Sequence, residues 1–344
     1  MVGRASIAHL ASAATICTLI MLGFSAPAEG KNLKFSLISK DIEDINFINA
    51  WRGCSDAARR NGDECLHMGD TQIGYFRGQL EAINKAVALK VDGIAISVTN
   101  SAFIAKDGLP DALDRKIPVI TFDSDLEPPD QPLRRTYIGP NNFGIGIRLA
   151  RILKEKAPKG ASICIMSGGR FDPNLNERIA GIRHELRRTP ENPSLNSTPE
   201  SAKSPLTGEN GWTEDDRCPL YNKGDDNLGL SQFAQAVQNT TTDFIVPVGA
   251  WLLGDPERMA KIMAIHGPRA PQLVMATGTP SDEQDRLTRK GIIDGYVAID
   301  FYRMGELVYQ QMRNFATGEN VIIAEETPLR IRMGGDIQVG ENPM

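Results

Sequence analysis

Val91-Asp92-Gly93-Ile94-Ala95-Ile96-Ser97, with the segments on either side of it, decides the fold. The run is short, apolar and β-branched, which reads as a strand buried on both faces. Just upstream, Phe76, Leu80, Ile83 and Val87 recur at helical spacing, and just downstream the turn at Lys116-Ile117-Pro118 leads into a second strand, 118–122. The same alternation extends outward. Lys34 to Ser39 reads as a strand, and after it Phe47, Trp51, Cys54 and Ala58 fall at i, i+4, i+7 and i+11, on one face of a helix. In the second half, strands near 161–166, 219–222, 243–247, 272–276 and 294–298 alternate with helices near 142–156, 173–188, 227–238, 255–265 and 301–316. Strand–helix alternation of this kind predicts an α/β chain of doubly wound parallel sheets with helices on both faces. In such sheets ligands bind beyond the carboxyl ends of the strands, so the loops that follow the strands are where function is sought. The stretch 188–217 is rich in Pro, Ser, Asn and Gly without apolar periodicity, and reads as a long surface loop, in part disordered.

At the amino end, residues 1–28 read as a cleavable signal peptide. Arg4 is the one formal charge, an apolar run spans Leu10 to Phe24, and Ala26-Pro27-Ala28 is a small-x-small cleavage site. The run is short of the about 20 residues a membrane span needs, and Ser12, Thr15 and Thr18 interrupt it. Ile16 before Cys17 argues against a lipoprotein signal. Export to the periplasm is therefore expected. Beyond the leader lie Cys54, Cys65, Cys164 and Cys218. In an oxidising compartment an even count permits two disulfides in any of three pairings, while Cys54 on an apolar helical stripe and Cys164 inside a strand-like run read equally well as buried thiols.

The composition excludes several function classes. The 344-residue chain has a formal net charge of −5 and no stripe of Lys and Arg interleaved with aromatics, so neither nucleic acid nor a membrane surface is an expected partner. No CxxC pair occurs, and His67, His184 and His266 are widely scattered, so no metal site of familiar spacing is expected. Walker, Gly-x-Gly-x-x-Gly, His-Glu-x-x-His and Gly-x-Ser-x-Gly motifs are missing from the sequence. The reading is a protein that binds without catalysing, and without a cofactor.

Four motifs, in order, carry a resemblance: Val91 to Ser97; Ile117-Pro118-Val119-Ile120-Thr121-Phe122-Asp123-Ser124-Asp125; Tyr137-Ile138-Gly139-Pro140-Asn141-Asn142; and Glu177-Arg178-Ile179-Ala180-Gly181-Ile182. Each is weak alone, but together, from about residue 33 to 333, the chain resembles the periplasmic sugar-binding proteins of the ribose- and galactose-binding type, whose fold is also the effector domain of lac-repressor-like regulators. A leader rather than a helix-turn-helix precedes the fold, which favours the exported receptor. The resemblance implies the type I periplasmic binding protein fold: two lobes joined by a three-crossing hinge near Asn141, Ile299 and Pro328. The amino-terminal lobe is then 31–140 plus 300–327, and the carboxy-terminal lobe 141–299 plus 328–344. It also implies hinge closure over a small sugar or sugar-like polyol, a monomeric receptor, and an ABC permease as partner. The rival roles are a sensor that docks on a chemoreceptor or kinase, and a receptor for a cationic ligand such as an amino sugar or opine.

Carried over residue by residue, the resemblance makes Asp123 the carboxylate that accepts hydrogen bonds from sugar hydroxyls at the cleft mouth. Ribose-type relatives place an arginine directly after it; here Ser124 and then Asp125 follow, a more acidic pattern. Arg178 matches the cleft arginine of the second lobe, with a surface ion pair to Glu177 or Asp172 as the alternative. Asn46 and Phe47 match the place where relatives present amide or aromatic groups to the ligand, although Phe47 also begins a core stripe. Asp44 is either a ligand carboxylate or a helix cap. Trp251 follows a second-lobe strand and offers an indole to stack on a ring, or packs on its own lobe. Thr277 and Asp300 occupy positions where relatives carry hydrogen-bonding groups, and Asp300 could equally start the helix after it.

Overall fold

The computed structural model describes residues 32–71, 76–188, 201–238, 242–279, 281–319, 325–326, 329–333 and 336–339. The leader lies outside the described residues, as does 189–200. Fourteen strands are described, β1 (Lys34–Ile38), β2 (Glu64–Met68), β3 (Gly93–Ile96), β4 (Val119–Phe122), β5 (Tyr137–Gly139), β6 (Ser162–Ser167), β7 (Thr213–Glu214), β8 (Leu220–Tyr221), β9 (Phe244–Pro247), β10 (Gln272–Thr277), β11 (Gly295–Ile299), β12 (Glu325–Glu326), β13 (Leu329–Met333) and β14 (Asp336–Val339). Between them run helices α1 (Ile45–Arg60), α2 (Phe76–Ala88), α3 (Ser101–Phe103), α4 (Pro110–Asp114), α5 (Asn142–Lys156), α6 (Pro173–Arg187), α7 (Asp226–Gln238), α8 (Pro256–His266), α9 (Asp282–Arg289) and α10 (Phe301–Thr317).

These strands form two sheets. The first has the order β12-β5-β4-β3-β1-β2 and is parallel throughout. The second has the order β14-β13-β11-β10-β9-β6-β7, with β8 also beside β6. It is parallel except that β13 runs antiparallel to both β11 and β14. The chain builds β1 to β5 in one sheet, β6 to β11 in the other, returns for β12 and ends in the second sheet with β13 and β14. This is the doubly wound α/β type I periplasmic binding protein fold. The central strands β3, β4 and β9 are buried along their whole length, as strands covered by helices on both faces must be.

Local chemistry explains where the helices begin. Asp44 caps α1 by accepting from the Asn46 N–H at 2.7 Å, Asn141 caps α5 through Gly144, and Asp300 caps α10 through Arg303. The α1 stripe is as the spacing predicts: Phe47, Cys54 and Ala58 are buried, and half-buried Trp51 donates its indole N–H to the Cys65 carbonyl. The helix α10 packs against α1 and over β3 to β5, whereas α5 packs against α6 and against β10 and β11. At the α5–α6 crossing Gly146 faces the Arg178 carbonyl and Gly181 faces that of Phe143. A Cβ at either position would lie 2.0 or 2.1 Å from that oxygen, so only glycine permits the approach.

The cysteines form two disulfides, Cys54–Cys65 tying α1 to β2 and Cys164–Cys218 tying β6 to the segment before β8. The strand β2 was not legible in the sequence, because Glu64-Cys65-Leu66-His67-Met68 lacks β-branched residues and lies at a sheet edge. The reading of 188–217 as a surface loop is corrected over its described part. Leu206 and Trp212 are each only 2% exposed, and Arg183 grips Glu214 through two hydrogen bonds of 2.7 and 2.8 Å. Isolated apolar anchors plus a buried ion pair hold this segment on α6, and neither has a periodic signature.

Candidate functional site

The segments that follow β1 and β4 in the first sheet meet those that follow β6 and β10 in the second, beyond the carboxyl ends of the strands. On the first sheet, Gln79 of α2 fastens the loops together. Its amide donates to the Ser39 and Ser97 carbonyls and accepts from the Thr99 N–H and hydroxyl. Ser97, so placed, donates its hydroxyl to Asp123 Oδ2 at 2.9 Å. Asp123 ends β4 with a φ of 58°, a left-handed conformation that Asp tolerates better than most residues. Its carbonyl accepts from the Tyr137 hydroxyl and from the Asn142 amide, which holds the turn.

From the second sheet, α6 answers. Asn174 donates to Asp123 Oδ2 at 3.1 Å, and Arg178 Nη2 reaches Asp123 Oδ1 at 3.5 Å. The guanidinium of Arg178 is fixed by the Asn142 side chain at 2.8 Å and the Val248 carbonyl at 2.9 Å. Burial lowers the Arg178 pKa from its ordinary value, which Asp123 partly opposes. For the Tyr137 hydroxyl, burial first and then the Asp123 charge raise the pKa well above 10. A second contact runs beside this one. Lys40, after β1, donates to Asn174 Oδ1 at 2.8 Å and lies 3.5 Å from the Asp172 carboxylate. Burial pushes the Asp172 pKa up, and the Lys40 charge works against that.

Two groups of acids flank the network. Asp44, before α1, is pushed up to about 6, by burial first and then, after the opposing hydrogen bond from Asn46, by Asp41 and Asp123. Asp226, at the start of α7, is also pushed up to about 6, by burial and then by Asp44, Asp225 and Asp41. Glu177 keeps contact with solvent, yet protein crowding and then Asp125 push it up to about 7. Among the described residues no cluster of His, Cys, Asp and Glu could hold a metal ion.

Of the residues singled out in the sequence, Asp123 and Arg178 are brought together, and Arg178 pairs with Asp123 rather than with Glu177 or Asp172. Asn46 also reaches across, its side-chain oxygen lying 1.5 Å from where a Cβ on Gly278 would sit, in the loop just after Thr277. Thr277 is buried, and its hydroxyl donates to the Gly278 carbonyl. The Trp251 indole lies across Gly168 and Gly249, a seat that a side chain on either glycine would occupy. Phe47 belongs to the core: its ring packs edge-on against Phe122 and Phe301. Asp125 is gripped by Arg134 through both carboxylate oxygens and accepts from Thr121, so its charge is answered on its own sheet. Asp44 and Asp300 act as caps, and Asp44 also lies within electrostatic reach of Asp123. Ser124 donates to the Val98 carbonyl. Sequence reasoning missed Lys40, Asn174, Asn142 and Ser97; Lys40, Ser97 and Asn142 stand within three residues of a strand's carboxyl end, which was the signal available, and Asn174 lies in the first turn of α6.

Residues 35–320 match the family model of the periplasmic binding protein domain, and the chain belongs to that family. It is therefore a binding protein and not an enzyme. A glucose-galactose binding protein from Geobacillus stearothermophilus superposes with a TM-score of 0.71 at 19% identity, over 89% of this chain and 99% of that one. An ABC transporter solute-binding protein from Agrobacterium vitis with bound D-fucose gives 0.71 at 17% identity, covering 87% and 95%. A carbohydrate transporter solute-binding protein from Agrobacterium radiobacter in complex with D-arabinose gives 0.72 at 18%, covering 88% and 95%. No curated protein matches the chain. Among the described residues no helix is long and apolar enough to cross a membrane.

Proposed function

We propose that the chain is the substrate-binding subunit of an ABC sugar importer, exported to the periplasm, which captures a small sugar or polyol between its two sheets and presents it to a permease. The observation that carries the reading is the meeting of Asp123 with Arg178 and Asn174 from the opposite sheet. A carboxylate offers two acceptor oxygens to adjacent hydroxyls, and a guanidinium offers a planar set of donors to ring or hydroxyl oxygens. Groups on both sheets gain contacts with a ligand only when the sheets approach, which is how a ligand shifts an open–closed equilibrium. Solved relatives of the same fold are described with D-fucose and D-arabinose bound, which supports a monosaccharide. Calorimetric titration of wild type and Arg178→Ala with D-galactose, D-fucose and D-arabinose tests the reading. At least one sugar should bind wild type and bind the variant at least tenfold more weakly; equal affinity in both would remove Arg178 from the site.

A second reading, a cationic ligand such as an amino sugar or opine, is favoured by one observation. Asp44 and Asp226 come from opposite sheets, and the charged groups that raise Asp226 are the acids Asp44, Asp225 and Asp41. A positive charge between them would relieve that repulsion.

A further inference from the structure

Lys40 and α6 join the two sheets through side chains of the protein itself. The Lys40 ammonium only donates, so the Asn174 amide must turn its oxygen toward Lys40, at 2.8 Å, and its nitrogen toward Asp123, at 3.1 Å. The Asp172 carboxylate lies 3.5 Å from the same ammonium, with both side chains only 10% exposed. Lys40 lies in the loop that follows β1, in the first sheet, and Asp172 and Asn174 at the start of α6, which packs with the second. We propose that Lys40, Asp172 and Asn174 form an interlobe latch that stabilises the closed form of the receptor and orients Asn174 toward the binding carboxylate Asp123.

A lysine in a polar loop ordinarily extends into water, where its charge is solvated at no cost. Here the ammonium is withdrawn from water, and the groups that compensate it stand on the other sheet. Opening would return Lys40 and Asp172 to solvent separately, while closing pairs them and completes the Asn174 relay. Removing one member alone leaves a buried charge without its partner, a larger penalty than removing both. The latch thus makes closure of this receptor depend on a pair that no ligand supplies. The proposal rests on the two-lobed binding reading, but not on the identity of the ligand.

Small-angle scattering of the ligand-free protein tests it. Wild type should show a radius of gyration near the about 20 Å expected for a compact chain of this length. Lys40→Met should be measurably larger, with the closed-to-open ratio lowered on the order of a hundredfold by the unpaired Asp172. Lys40→Arg, which keeps the charge, should stay compact. The double variant Lys40→Met/Asp172→Asn removes both charges of the pair and guards against a folding failure of the single one; it too should be more open than wild type, at an unchanged circular dichroism spectrum. A ligand-free wild type already as expanded as Lys40→Met, or a double variant as compact as wild type, would overturn the latch. Failure of every sugar to bind wild type in a separate titration would sink the sugar reading and leave the scattering result standing.

Discussion

Replacing Gly146 by alanine sets two physical effects of opposite sign against each other. Alanine in a helix interior is favoured over glycine by about 0.5–1 kcal/mol through the smaller loss of backbone entropy, so propensity alone predicts a stabler protein. The structure predicts the reverse. The new Cβ would lie 2.0 Å from the Arg178 carbonyl oxygen and 2.8 Å from the Ile182 nitrogen, both backbone atoms of α6 that cannot rotate aside. Relief requires α5 and α6, normally about 8–10 Å apart at a packed crossing, to separate by on the order of 1 Å. Overpacking of this kind costs about 1–3 kcal/mol, which exceeds the propensity gain. A net loss of roughly 0.5–2 kcal/mol should lower Tm by several degrees, since about 2–4 °C accompanies each kcal/mol in domains of 150–250 residues. Because α6 carries Arg178 and Asn174, ligand affinity should fall as well. Thermal melts followed by circular dichroism, with calorimetric titration of the folded variant, provide the assay. A Tm at or above that of wild type would refute the claim that this glycine contact sets the helix spacing.

Asp123→Asn should weaken binding by about 1.5–3 kcal/mol, the usual worth of hydrogen bonds to a charged group. For a neutral sugar the loss should be the same at two salt concentrations; a loss that shrinks as salt rises would indicate a cationic ligand. The pH dependence has a definite sign. Folding raises Asp44 and Asp226 from 3.8 to about 6 and Glu177 from 4.5 to about 7, so their contribution is present in full below 3.8, falls as pH rises from there, and is lost once pH has passed about 6 for the two aspartates and about 7 for Glu177. Tm measured across that window should therefore fall with rising pH on account of these groups, and a fall in Asp44→Asn equal to that in wild type would remove Asp44 from the effect. Of the disulfides, Cys164–Cys218 closes the longer loop, a separation of 54 against 11 for Cys54–Cys65. Replacing its pair by serine should cost about 4 kcal/mol against about 3 for the other, read as the difference in denaturant midpoint.

The parts of this molecule that were legible in the sequence are those whose physics is local or periodic. The helix α5 follows the expected 142–156 at both ends, because Asn141 is a capping residue and the apolar spacing continues to Leu153. The buried strands β3, β4 and β9 stand out as apolar runs because helices cover both faces. An edge strand such as β2 needs no such run, and the anchoring of Trp212 and Glu214 on α6 depends on single long-range contacts. The same distinction divides the site. Asp123 and Arg178 were recognisable from the motifs around them, while Lys40 looked like any solvated loop lysine, since its partner Asn174 is 134 residues away. Phe47 shows the converse: a residue at a ligand-facing position in the motif whose helical register commits it to Phe122 and Phe301 in the core.

Whether the site takes a small neutral sugar or polyol is decided by a thermal-shift screen of the purified protein against monosaccharides, polyols, amines and amino acids. A ligand at 100 times its dissociation constant stabilises the folded state by about 2.7 kcal/mol, well above the resolution of a melt. A monosaccharide or polyol should raise Tm in wild type, and the rise should be reduced in both Asp123→Asn and Arg178→Ala. A Tm raised by an amine or amino acid while every sugar and polyol leaves it unmoved would contradict it.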